Sequence, residues 1–165
     1  TLFVSNTPKP LELLKLLVTR PRTAVTIVKF GVKAMAPAKA IAERGDAKKA
    51  MRLFGATILG QQFYNRLSER RLEQVDANAT RAEFLGSGFA PLDAQHLRNV
   101  RTPTLLITGQ HSHRLFHRLA DRLEELLPNV ERVEIEDASH ILHEDNPSAF
   151  NKAVQLFLEK SRSAA

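Results

Sequence analysis

Between Thr102 and Lys160 short apolar strands alternate with amphipathic helices, and this run constrains the fold more than any other stretch. "TPTLLITG" (102–109) is a continuous apolar run closed by Gly109, the composition of a parallel strand buried on both faces. "RLFHRLADRLEELLP" repeats leucine at 115, 119, 123 and 126–127, and Pro128 closes that helix. "ERVEIED" alternates Val133 and Ile135, as a second short strand does. "NPSAFNKAVQLFLEK" opens with Asn146 as N-cap and Pro147 at the first helical position. Its apolar face is Phe150, Ala153, Val154, Phe157 and Leu158. Strands joined by crossover helices imply a parallel sheet. Strands at 104–108 and 132–136 would each expose an edge, and parallel sheets are normally covered by helices on both faces. The expected class is therefore α/β, the C-terminal part of a doubly wound, mainly parallel sheet whose beginning lies upstream of Thr1.

Residues 1–99 read as helices joined by turns, which sets the expected boundary near residue 100. "LELLKLL" (11–17) and "TAVTIVKFGVKAMA" (23–36) carry helix-like apolar clusters, the second ambiguous with a strand because of its β-branched residues. Pro21 and Pro37 punctuate them. "DAKKAMRLFGATILG" places Ala47, Ala50, Met51, Phe54 and Ile58 on one face behind Asp46 as N-cap. In "SERRLEQVDANATRAEFLG", Leu72, Val75, Ala79, Ala82 and Phe84 lie near one face, with Ser68 as cap and Gly86 after the end. "GSGFAPLDA" (86–94) is the clearest loop.

Charge is uneven along the chain. Residues 1–55 carry a net +8 and residues 56–165 a net −2. A basic, apolar-interleaved stretch such as "LLKLLVTRPRTAVTIVKFGVK" suits an anionic membrane surface or partner, and equally the solvated outside of a helical cap. The solvated cap is the simpler reading, so membrane association is not expected. Phe30 and Phe54 do not make the basic-aromatic pattern that stacks bases, so nucleic acid is not expected as a partner either. No apolar run approaches the roughly 20 residues of a membrane helix, and "TLFVSNTPKP" has no signal-peptide pattern. The absence of cysteine removes disulfides and thiolate chemistry and suits a reducing, cytoplasmic compartment.

The stretch "EIEDASHILHEDNP" ends a strand in small residues and then places His140 before a helix start. Ligands in open α/β sheets sit beyond the carboxyl ends of the strands. A histidine there can take a proton from a hydroxyl or a water near neutral pH. A loop histidine that only hydrogen-bonds backbone fits position and residue type as well.

The order of several features decides between these. They are the proline before the buried strand in "VRTPTLLITGQHS", the "GQHS" after it, the "LP" before the last strand, the "SH" after it and the "HEDNP" helix entry. In that order they resemble the C-terminal end of α/β-hydrolase-fold enzymes, over Val100 to Leu158, and residues 1–99 look more loosely like the helical cap of such enzymes. The resemblance implies that His140 is the catalytic base. It also implies a nucleophile elbow, G-x-S-x-G or a version with Asp, and a glycine-rich oxyanion loop. Neither occurs here. In "LGSGF" Leu85 and Phe89 stand where outer glycines belong, and Ser87 reads as a loop residue. In the family's chain order both elements precede the cap.

Many family members have the triad Asp where this chain has Ser112. A neutral hydroxyl cannot stabilise an imidazolium as a carboxylate does, and Ser112 reads as the N-cap of the following helix. Other members take the acid from the strand before the cap. Asp137, Glu144 and Asp145 are near His140 in sequence but do not match the family's acid. His113 and His117 lie four apart with His111 close by, but no Glu sits between them as in H-E-x-x-H and no third ligand is evident, so no metal is expected. His143 reads as loop or cap packing. The resemblance thus implies the cap and C-terminal portion of a hydrolase for a small, largely apolar substrate, an ester or else an epoxide or carbon–halogen bond, with no cofactor. The missing N-terminal core segment, or an oligomeric partner, would complete it. The chain by itself is expected to be inactive.

Overall fold

A computed structural model describes residues 10–79 and 94–163. The predicted loop at 86–94 and the face residues Ala82 and Phe84 lie almost wholly outside that range. The chain divides into two compact units, one of residues 1–57 and 64–92, the other of residues 58–63 and 93–165.

The first unit is helical. Its described elements are α1 (Pro10–Thr19), α2 (Pro21–Phe30), a π turn (Gly31–Met35), α3 (Ala36–Glu43), α4 (Ala47–Leu59, which ends in the second unit) and α6 (Glu69–Ala79). In chain order a short α5 (Gln61–Tyr64) comes between the last two, its first three residues belonging to the second unit. The expected break at Pro37 is absent, because the helix widens instead. Proline has no N–H and its ring crowds the carbonyl four residues back. The π turn absorbs both problems, and Ala36 N–H bonds to Gly31 O across it. Close helix approach rests on small residues: Ala24, Ala34, Ala38 and Ala50 are all fully buried. Met51 and Phe54 fill the space beside them, and Phe54 meets Phe30 edge-on at 6.1 Å. The expected caps hold. Asp46 Oδ1 accepts from Lys49 N–H (3.0 Å) and Ser68 Oγ from Arg71 N–H (3.2 Å).

The second unit carries α7 (Ala94–Arg98), β1 (Thr104–Gly109), α8 (Arg114–Leu126), β2 (Val130–Ile135), α9 (Leu142–Asp145) and α10 (Pro147–Ser163). β1 and β2 are parallel, in register from Thr104↔Val130 to Gly109↔Ile135. β2 therefore starts two residues before the sequence suggested. Its start is fixed by Thr104 N–H bonding to Asn129 O (2.9 Å) and by the Asn129 amide bonding to Arg101 O (2.7 Å).

The period of two separates the faces of β2. Glu131, Val133 and Ile135 point toward α10, where Lys160 reaches Glu131 at 2.9 Å. Arg132 and Glu134 point toward α8. Arg132 bonds there to Asp121 (2.7 Å) and Glu124 (3.0 Å), and His117 lies 3.5 Å from Glu134. The leucine repeat of α8 buries Leu123 and Leu126. Asn146 caps α10 as expected, accepting from Ala149 N–H at 3.2 Å. Leu158, expected on the buried face, is half exposed, and no residue of α10 is fully buried.

Candidate active site

The two strand ends are stitched together beyond the sheet. Gln110 N–H bonds to Ile135 O (2.9 Å) and His111 N–H to Ala138 O (2.8 Å). The Gln110 side chain accepts from Asp137 N–H at 3.1 Å. Asp137 sits at φ 51, the left-handed conformation that turns the chain off β2. Ala138 and Ser139 follow with no exposed surface, and His140 comes next. Their depth depends on Gly109. A Cβ there would meet the carbonyl oxygens of Ser139 and of Ala138, the latter at 2.6 Å.

The exit of β1 delivers the other wall. Ser112 N–H closes a turn on Gly109 O (2.9 Å), so the Ser112 backbone belongs to the turn and not to the helix start. The cap expected at Ser112 is therefore displaced by one residue. His113 caps α8, its Nδ1 accepting from Leu115 N–H at 3.2 Å. Burial, with the Arg114 charge beside it, lowers the His113 pKa, which keeps that nitrogen free to accept. Ser112 itself is buried.

One turn into α8, Phe116 stacks on the His140 ring, with centroids 3.8 Å apart and planes 18° from parallel. Burial first, and the terminal ammonium second, push the His140 pKa down to about 4, so the imidazole is neutral at pH 7. The folded state then binds fewer protons than the unfolded chain at acid pH. Stability from this group is complete above pH 6.5 and is lost as pH falls toward 4. Urea unfolding of the protein at pH 7 and pH 4.5 checks this. Replacing His140 by Gln is expected to remove most of the difference, and an unchanged difference would assign it to other groups.

The Alpha/beta hydrolase family profile matches residues 11–153. The chain belongs to the alpha/beta hydrolase family. Protein ABHD14A of Mus musculus is similar, 34% identical over 80 residues, which is 44% of this chain and 32% of that protein. Three solved structures share the fold. A putative hydrolase from Bacillus subtilis superposes at TM-score 0.54 with 22% identity, over 74% of this chain and 45% of its own. The carboxylesterase CesB (YbfK) from Bacillus subtilis gives 0.50 and 22%, over 67% and 41%. VinJ gives 0.53 and 18%, over 90% and 51%. The chain spans about a third of the curated relative and about half of each solved structure.

In this alpha/beta hydrolase chain the remaining histidines have separate surroundings. The His111 ring lies 5.4 Å from Phe63, and its Nε2 is 3.8 Å from the exposed Asp137 carboxylate. His113 caps, and His117 faces Glu134. His143 is 3.6 Å from Glu144 and 6.0 Å from the Phe150 ring. Among the described residues no three His, Cys, Asp or Glu are grouped to hold a metal ion. A groove of ≈ 930 Å³ runs between β2 and α10, lined by Val133, Ile135, Ala153, Leu156 and Phe157 but not by His140.

Sequence reading missed Gly109, Phe116 and the partnership of Ser139 with Asp145. Gly109 gave a signal, a glycine closing a strand. Asp145, just before the "NP" helix entry, gave another.

Proposed function

We propose that this chain forms the cap and C-terminal core of a hydrolase in which His140 is the general base and water the second substrate. The observation that carries this reading is the delivery of His140 past the carboxyl end of β2, its ring stacked on Phe116, on a loop packed closely against Gly109. The substrate is small and largely apolar. An ester is favoured because one relative of the same fold is a carboxylesterase. An epoxide or a carbon–halogen bond fits if the nucleophile is Asp.

In the proposed reaction the nucleophile attacks carbon, His140 takes the proton of the hydroxyl or water, and backbone N–H groups hold the oxyanion. The nucleophile and oxyanion loop come from the part of the protein that precedes the cap in the family's chain order. Ser112 offers only a hydroxyl, so the reading takes the triad acid from elsewhere, as in those members of the family that place it on the strand before the cap. Such a carboxylate against the second ring nitrogen would raise the His140 pKa from about 4 toward the range of a working base. The reading needs no metal and no cofactor. Turnover of p-nitrophenyl esters by the full-length protein tests it. Loss in His140→Ala supports the reading, and retention overturns it.

A second reading has its own observation. Leu14, Val18, Val25, Val28 and Val32 are exposed, while Ala24, Ala34, Ala38 and Ala50 of the same unit are buried. Residues 13–42 hold six Lys or Arg and no acid. Bulky apolar side chains outward among cations fit an anionic lipid surface. No described helix is long and apolar enough to cross a membrane. Co-sedimentation with phosphatidylglycerol vesicles is the check. Binding that falls with salt and in Val28→Ser/Val32→Ser supports this reading, and none at low salt removes it.

A further inference from the structure

We propose that Asp145 is a positioning residue that latches the loop carrying His140, an inference that rests on His140 being the general base. The Asp145 carboxylate lies at the end of α9, where one oxygen, Oδ2, accepts two hydrogen bonds from the same residue. Ser139 N–H donates at 2.7 Å and Ser139 Oγ–H at 2.5 Å. The second is as short as hydroxyl-to-carboxylate bonds become. Ser139 has no exposed surface, so neither bond competes with water at the donor. The same Ser139 hydroxyl accepts a longer bond, 3.4 Å, from Ile141 N–H. One carboxylate therefore ties down the residue before His140 and, through that hydroxyl, the residue after it.

The latch is itself anchored. Asn146, the next residue, bonds through its amide to Glu136 O (3.2 Å) and through its carbonyl to Ala149 N–H (3.2 Å). The start of α10 is thus fixed to the end of β2, and Asp145 cannot drift while that link holds. From the other side Gly109 admits the Ala138 and Ser139 carbonyls, and the His111 N–H takes the former. Stacking on Phe116 restrains the rotation of the His140 side chain. Backbone clamped on both sides and a ring held on one face are what a base needs to stay within reach of one proton. Asp145 acts through Ser139 and not on substrate. Its charge matters because a neutral acceptor holds two donors less strongly.

The test uses the full-length protein, with histidine labelled for NMR, and three variants. In the parent, the His140 ring protons resonate upfield, shielded by Phe116. Asp145→Ala is expected to move them toward the position of a free imidazole and to lower kcat roughly 10- to 100-fold, with KM unchanged within a few-fold. Asp145→Asn, which keeps one weaker acceptor in place, is expected to restore part of both. Ser139→Ala, which keeps the amide bond only, is expected to fall between, and it decides the matter if Asp145→Ala does not fold. Wild-type ring shifts in Asp145→Ala, or in Ser139→Ala where that variant decides, overturn the latch whatever the rate does. Failure of the base reading looks different. There, His140→Ala retains turnover while Asp145→Ala still moves the ring.

Discussion

His140→Ala in the full-length protein is expected to lower the rate by roughly four to six orders of magnitude while leaving the fold intact. Triad members act as a unit, so removing one costs nearly as much as removing all. The kind of failure depends on the nucleophile. A serine hydroxyl needs the imidazole to lose its proton, so a serine enzyme fails at acylation and stays unmodified. An aspartate attacks without help and then waits for an activated water, so its ester accumulates. Intact-mass spectrometry after substrate addition separates the two. No adduct indicates Ser, a trapped adduct indicates Asp, and in both cases steady-state turnover is gone. Rapid turnover in the variant would remove His140 from the mechanism.

Gly109→Ala is expected to be the most damaging single methyl in the second unit. The added Cβ would collide with two carbonyl oxygens, and both belong to the loop that carries His140. Neither oxygen sits on a flexible side chain. Relief requires either the β1–β2 register or residues 138–140 to shift, and both are held by the bonds Gln110 N–H to Ile135 O and His111 N–H to Ala138 O. Overpacking of this kind against backbone costs roughly 3 kcal/mol. Chemical denaturation measures that loss. A Gly109→Ala protein that still folds is expected to be slower by at least roughly 100-fold, because His140, the proposed base, has moved. Unchanged stability and rate would show that the strand ends separate easily, and that the close approach does not set the depth of His140.

The parts of this fold written in local pattern were legible in the sequence. Both strands, their parallel order and the helices between and after them follow from apolar runs, the leucine spacing of 115–127 and the caps at Asp46, Ser68 and Asn146. The place of His140 beyond a strand end was legible for the same reason. What escaped were contacts between residues far apart in sequence. Nothing in "RLFHRL" says that Phe116 meets a ring 24 positions later, and nothing in "ITGQ" says that Gly109 faces two carbonyls. The cap expected at Ser112 falls one residue later: Ser112 lies in a turn closed on Gly109 O, and the His113 side chain accepts the helix N–H. At Pro37 the chain met a proline within a helix by widening one turn, which pattern reading scores as a break. Asp145 was weighed only as a triad acid, and its two bonds to Ser139 suggest a different role.

The central claim is that this chain brings one particular histidine to the chemistry, and its neighbour three residues on is the sharpest control. His143 is exposed, pairs with Glu144 and lies near Phe150, so its removal should leave the loop bonds of Ser139 untouched. Steady-state hydrolysis of one p-nitrophenyl ester by the full-length protein, its His140→Ala variant and its His143→Ala variant, in one buffer at pH 7.5, measures the difference directly. The expected result is a His143→Ala rate within a few-fold of the parent and a His140→Ala rate at least roughly 10⁴-fold lower. An inactive His143→Ala beside an active His140→Ala would contradict it.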